Sequence, residues 1–451
     1  MRFVGLSGAL ATVAVMAAPG MAQTLFAQDI LESDDAAEVT ATPGLQSNEI
    51  VQEDPRFAAV QHWSIDNANA LLAVIEGIGA EGLDPADYRP DLLREEIANG
   101  ESTALNIRAS GVFVWLVEDL RDGRTPMESR RQWFVVDPDP DLMPTGSLMT
   151  EALENGDVAG VVASLAPDHA DYAALREALA NTPEEATDRR RIIRANMDRW
   201  RWLPRDLGGQ YLITNVPEYQ LRLMVNDRII STYRTIVGAP GRTATPQLAE
   251  TVEGVVFNPT WTVPQSIVRG EGLGNRVLNN PQWARSQGYT ATRGANGWIS
   301  VVQQPGPTNS LGEMKLDMPN AHAIFLHDTP QRHLFDSSNR ARSHGCIRVE
   351  RALELAMTVA ILGGGATRQE AVDIHVSGDY TRVPVQRTMP VYITYFTMGL
   401  DSEGNLRSYE DIYGRDAPVL ASLDEPRQGN RARATSEEVI EIVEDARTTA
   451  S

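Results

Sequence analysis

The stretch Gln210–Pro240, QYLITNVPEYQLRLMVNDRIISTYRTIVGAP, decides how the chain is read. Apolar and polar residues alternate along it, and β-branched and aromatic side chains suit a pleated, half-buried surface. Asn226-Asp227 in its middle is a turn dipeptide between two strands. Upstream the pattern is helical. Leu71, Leu72, Ile75 and Ile78 share one face after a Ser64 start signal, and Val112, Trp115, Leu116 and Leu120 form a second stripe that ends at Asp122-Gly123. Shorter helical pieces are expected around 158–165 and 172–180, then over 188–202, stopped by Pro204. The first half is thus helical and the second half β-rich, the α+β class.

Downstream, strand character is expected at 252–257, 323–327, 371–376 and 391–398. Residues 266–320, with Gly, Asn and Pro throughout and a short helix expected at 281–287, read as an insertion within the β domain. A helix over 350–362 ends at Gly363-Gly364-Gly365; glycines after a helix cap it, whereas a phosphate cradle would precede one. Residues 424–451 read as a flexible tail in which Thr435 and Glu438 cap a short helix. Asp137-Pro138-Asp139-Pro140-Asp141 has the spacing of a calcium loop, but Leu142 and Leu148 replace its Gly and terminal Glu, so an acidic surface loop is expected.

The chain has 451 residues, 61 acidic and 40 basic, for a net charge of −21. That balance argues against nucleic acid and anionic membranes as partners, which need clustered positive charge. Cys346 is the one cysteine and Lys315 the one lysine. A single Cys excludes internal disulfides, CxxC pairs and Cys-based metal cages. Lys315 follows Met314 and has Gly312 three places before it, which excludes a P-loop and a Ser-x-x-Lys nucleophile. The N-terminus, MRFVGLSGALATVAVMAAPGMAQ, has a short positive start, an apolar run to about Ala18 and a Gly20-Met21-Ala22 cleavage site. We read residues 1–22 as an export signal cleaved after Ala22, and 23–54 as a disordered acidic linker. No later run is long enough to span a membrane, so the exported protein is expected to be soluble.

Four of the seven histidines lie within 25 residues of Cys346, in HAIFLHDTPQRHLFDSSNRARSHGCIRV. A thiolate with a base in reach attacks carbonyls, and a hairpin-like return would bring His327 to Cys346. Gly345 allows a tight turn there, and backbone N–H groups at Gly345 and Cys346 are candidates for stabilising an oxyanion. A zinc site is a second reading, but no HExxH occurs and the His spacings fit no helical pair. An inert buried Cys is the third.

SHGCIR, with HDT nineteen positions earlier, resembles the signature of L,D-transpeptidases. NMDRWRWLP at 196–204, FNPTW at 257–261 with Val263-Pro264, QPGP at 304–307 and DIYGRD at 411–416 resemble the larger Gram-negative members, in the same order. The resemblance spans about 196–416. It implies a helical scaffold domain at 55–195, then a mixed β-sandwich catalytic domain at 196–423 with a capping insertion at about 266–320. Two features depart from the pattern. Only about 182–194 separates scaffold from catalytic domain, too short for the peptidoglycan-binding module usual there. Phe325 stands where the subgroup often has Tyr, leaving only packing to position a donor.

The resemblance implies periplasmic cysteine acyl transfer in cell-wall biogenesis, with no metal or other cofactor, peptidoglycan tetrapeptide stems as donor and acceptor, cell-wall synthesis proteins as partners and carbapenems as acylating inhibitors. Cys346 is the implied nucleophile and His327 its base. In the family a carbonyl just after the His orients the ring; here that residue is Asp328, whose carboxylate is an alternative, as is a turn role. Arg348 is expected to orient the loop, bind a substrate carboxylate or form a structural ion pair. His344 is expected in loop structure or substrate contact, and Trp261 in the donor groove wall or the core. Hydrolysis, D-amino-acid exchange and attachment of the stem to a protein share this acyl-enzyme; a non-catalytic wall-binding scaffold is the rival of another class.

Overall fold

The computed structural model describes residues 58–135, 142–270, 272–429 and 434–438. The export signal, the acidic linker, the Asp137–Asp141 loop and the segment from 439 onward lie outside them.

The helical half begins with α1 (Ile65–Gly77), whose N-cap Ser64 side chain accepts from the Asn67 N–H. It continues with α2 (Pro90–Asn99), α3 (Thr103–Arg121), α4 (Thr145–Asn155) and α5 (Val158–Ala163). From Ala109 onward α3 is buried on every side, so it is the axis of this half, with Trp63, Leu71 and Ile75 packed around it. Two further helices, α6 (Ala170–Asn181) and α7 (Thr187–Trp200), lead into the sheet with five residues between them.

The β-rich half is built on β1 (Gln210–Asn215), β2 (Gln220–Val225), β3 (Arg228–Gly238), β4 (Leu248–Phe257), β8 (Met314–Asp317), β9 (Leu326–His327), β10 (Ala341–Ser343), β11 (Ile347–Val349) and β12 (Thr381–Thr394). They form one sheet in the order β10-β3-β11-β9-β8-β4-β12-β1-β2. Because β2 also pairs with β3, the sheet curls back on itself, and its walls enclose a core that includes Leu212, Val255, Leu316 and Ile347. Asn226 and Asp227 turn between β2 and β3 with φ of 48° and 58°, the left-handed geometry a tight hairpin requires. Helix α11 (Ala352–Leu362) covers β4, β8 and β12. The opposite side meets the helical half through a shared core of Trp133, Trp200, Trp202, Tyr211, Tyr392 and Phe396.

Between β4 and β8 lies a cap. It holds α8 (Gln265–Gly270), α9 (Leu273–Asn279), α10 (Pro281–Ser286) and a three-stranded sheet, β5 (Trp261–Thr262), β7 (Ile299–Gln303) and β6 (Tyr289–Arg293), around its own apolar cluster. The insertion expected to reach 320 ends sooner, because β8 belongs to the main sheet between β4 and β9.

Three other expectations differ. Residues 371–376, read as strand, lie in helix α12 (Arg368–Ser377), which a Thr367–Glu370 capping box starts. The strand expected over 323–327 is only Leu326–His327, and Ala323 sits at φ 53°. The tail is docked where it begins. After α13 (Asp416–Asp424), Arg427 is buried against Glu118 and Asp119 of α3, and the Glu437 carboxylate accepts from the Gln132 N–H at 2.5 Å.

Candidate active site

Cys346 lies in the turn between β10 and β11, and two buried hydroxyls shape that turn. Ser343 Oγ accepts from the Gly345 N–H at 3.1 Å and donates to the Cys346 carbonyl at 2.6 Å. Thr245 Oγ1 donates to the Gly345 carbonyl at 2.8 Å. Gly345 adopts φ 120°, a conformation a side chain would oppose. The Gly345 N–H, a candidate oxyanion donor, is thus hydrogen-bonded to Ser343 within the turn. Cys346 as a residue is 6% exposed, and its thiol donates to the Ala323 carbonyl at 3.6 Å.

His327 reaches the same place by a different route than a hairpin. β9 and β11 run parallel, with Leu326 opposite Ile347 and His327 opposite Arg348, so the intervening chain crosses over. The imidazole Nδ1 lies 2.5 Å from the Asp328 carbonyl oxygen. A carbonyl only accepts, so Nδ1 carries the proton and Nε2 is the basic nitrogen. The ring is buried, which pushes its pKa down to about 3; the Arg348 and Lys315 charges act in the same direction, and the Asp328 and Leu311 carbonyls oppose them. It is therefore neutral at neutral pH. The Asp328 carboxylate faces elsewhere. It accepts from the Glu313 N–H at 3.0 Å and lies 3.5 Å from Arg332, pinning the end of the cap to the site. The ring contact is thus the Asp328 carbonyl, and the carboxylate alternative is corrected.

Cys346, His327, His344, Arg348 and Trp261 line one cavity of about 370 Å³, roofed by the cap residues Arg276, Trp283 and Tyr289. Arg348 donates to Gln331 Oε1 at 2.8 Å. Phe325 is not on the wall. Its ring packs 5.5 Å from the His327 ring, with the Lys315 ammonium 4.2 Å over its face. The four histidines do not converge. His322 packs against Phe134 of the helical half with ring centroids 4.2 Å apart and the planes tilted by 46°, and His333 lies on an exposed turn. Among the described residues, no group of three or more His, Cys, Asp or Glu is placed to hold a metal ion. A larger cavity, about 520 Å³, lies between α6 and the outer face of β1 and β2, away from all the expected site residues.

Sequence reading missed Ser343 and Thr245. Ser343 stands in the quoted SHGC motif; Thr245 carried no signal, since only the fold brings it beneath Gly345.

A β-rich domain that presents a thiol and an imidazole of fixed tautomer to a roofed cavity defines the class of site, and comparison with known proteins gives the family of the domain. Residues 209–393 match the YkuD family, described as the L,D-transpeptidase catalytic domain, and residues 60–179 match the family described as Scaffold domain. The chain therefore carries a YkuD L,D-transpeptidase catalytic domain behind a Scaffold domain. A Haemophilus influenzae protein named "Putative L,D-transpeptidase" is 30% identical over 292 residues, 60% of this chain and 58% of that protein. The chain thus matches less than two thirds of that relative's length. A solved structure of Mycobacterium tuberculosis L,D-transpeptidase 1 aligns over 41% of this chain and 61% of its own, at 10% identity and a TM-score of 0.19.

Proposed function

We propose that the protein is a peptidoglycan L,D-transpeptidase that forms 3→3 cross-links through a thioester on Cys346. The observation that carries this reading is the common cavity: Cys346 and His327 line it together, and the Asp328 carbonyl fixes the imidazole in the tautomer a base requires. Cys346 Sγ attacks the carbonyl of the third stem residue of a donor tetrapeptide. His327 Nε2 takes the thiol proton and delivers one to the leaving amine, so the peptide bond breaks, D-Ala departs and a thioester forms. The side-chain amine of an acceptor stem then attacks the thioester. His327 takes the amine proton and returns one to sulfur, which leaves a new amide and a free thiol. Amide is exchanged for amide, and no external energy source is consumed.

Such a reaction takes place outside the cytoplasm, in keeping with the export signal read at 1–22 and with periplasmic action. Among the described residues no helix is long and apolar enough to cross a membrane. The aromatic and cationic roof, Trp283, Tyr289 and Arg276, together with Trp261 and Arg348, would hold the donor's peptide and carboxylates. Purified protein incubated with defined disaccharide-tetrapeptides tests the reading by muropeptide mass spectrometry. Dimers of the 3→3 type with free D-Ala are expected from the wild type, and none from Cys346→Ala. D-Ala release without dimers would reassign the acceptor to water, and dimers from the Cys346→Ala protein would overturn the nucleophile.

A further inference from the structure

We propose that Thr245 is a positioning residue for the nucleophile turn and that the scaffold domain holds Thr245 in place through Arg415 and Gln132. The proposal rests on the reading of Cys346 as nucleophile and assigns the helical half a part in that chemistry.

Thr245 is fully buried, and all its polar groups are engaged around the turn. Its hydroxyl donates to the Gly345 carbonyl at 2.8 Å and accepts from the Gly238 N–H at 2.9 Å, linking the residue before Cys346 to the end of β3. Its N–H donates to the Tyr413 hydroxyl at 3.2 Å, which donates in turn to the Gly238 carbonyl at 2.6 Å. Its carbonyl accepts from both terminal nitrogens of Arg415 at 3.2 Å. Backbone packing here is close. A Cβ on Gly238 would lie 1.9 Å from the Thr243 carbonyl oxygen and 2.8 Å from the Thr245 nitrogen. One residue on, the Ala239 N–H donates to the Ser343 carbonyl at 2.9 Å, so the same strand end supports the turn from its other side.

Arg415 joins this to the helical half. Its guanidinium is buried, and among the described residues it forms no ion pair. It stacks over the rings of Tyr395 and Tyr413 at 5.0 and 4.8 Å, and it donates to the Gln132 side-chain oxygen. Gln132 and Phe134 are fixed to the catalytic domain by main-chain bonds on both sides of Gln247, at 2.9 and 3.0 Å. A continuous run of hydrogen bonds therefore extends from the scaffold backbone through Gln132, Arg415 and Thr245 to the carbonyl beside Cys346. A planar fork on one carbonyl limits how far Thr245 shifts, and an attacking atom misplaced by about 1 Å costs on the order of 10²-fold in rate.

The test is steady-state turnover of a defined tetrapeptide by the full chain, with acylation of Cys346 followed by intact mass. Thr245→Val keeps the shape and removes the hydroxyl. It is expected to lower kcat by roughly 10- to 100-fold with KM within about threefold, and Thr245→Ser is expected to restore kcat. Modification of Cys346 by iodoacetamide, a small reagent that needs no docked geometry, should stay within about twofold of wild type if only positioning is lost. Gln132→Ala, at the scaffold end, should lower kcat by about threefold in the same direction. Wild-type kcat in Thr245→Val overturns the positioning role, and wild-type kcat in Gln132→Ala overturns its scaffold end. A wild-type protein that forms no thioester at Cys346 overturns the catalytic reading itself, and this one with it.

Discussion

At the scale of the residue, the His327 imidazole sits in an environment far from water. Burial, then the Arg348 charge, holds its pKa at about 3, against about 6.5 in an unfolded chain. A proton therefore binds the unfolded chain first as pH falls. Above 6.5 both states are neutral and His327 makes no demand on stability; between 6.5 and 3 stability declines, because only the unfolded state gains the proton. A His327→Asn protein should show a flatter dependence of melting temperature on pH across that window; an unchanged slope would contradict the burial account. The same charge logic predicts catalysis. Arg348→Gln removes a cation that disfavours the imidazolium, so the acid limb of kcat/KM should move to higher pH, toward 6.5. A limb that stays in place would assign Arg348 to substrate alone. The SHGCIR and HDT motifs singled out Cys346 and His327 as a candidate pair, and both line one cavity. The packing of Phe325 against the His327 ring was not legible, because a sequence motif gives a position along the chain and not the side of the ring on which a neighbour packs.

At the scale of the element, turns were legible and short apolar runs were not. Asn226-Asp227 has few alternatives between two alternating stretches, and the hairpin lies there. Residues 371–376, AVDIHV, alternate over too few positions to separate strand from helix. What decides is Thr367, whose side chain accepts from the Glu370 N–H while Glu370 reaches back to the cap. Thr367→Ala should cost about 1 kcal/mol of stability in denaturant titration and leave kcat unchanged, since α12 lies away from the cavity. No loss of stability would mean that packing alone sets the helix start. The parallel pairing of β9 with β11 was equally hidden: antiparallel return and crossover both bring His327 near Cys346, and only the sheet order distinguishes them.

At the scale of the whole molecule, the two halves are joined by an apolar seam and by charges that the sequence could not pair. Arg427 donates to Asp119 at 2.8 Å and to Glu118, more than 300 residues earlier in the chain, inside the helical core. A segment read as loose from its charge is therefore fixed at that point, because two buried carboxylates require a partner. Arg427→Leu should destabilise the protein by about 3–5 kcal/mol in urea titration, since it removes the cation paired with both buried acids; a loss below about 1 kcal/mol would mean that the acids are solvated or protonated. The central claim concerns the thiol that this assembly encloses. Its most direct measurement is rapid acid quench of the full chain with a defined tetrapeptide donor, followed by intact mass and peptide mapping. The account predicts an adduct of the donor less D-Ala on the peptide that contains Cys346, and none on Cys346→Ala. An adduct on any other residue, or donor turnover by the Cys346→Ala protein, would contradict it.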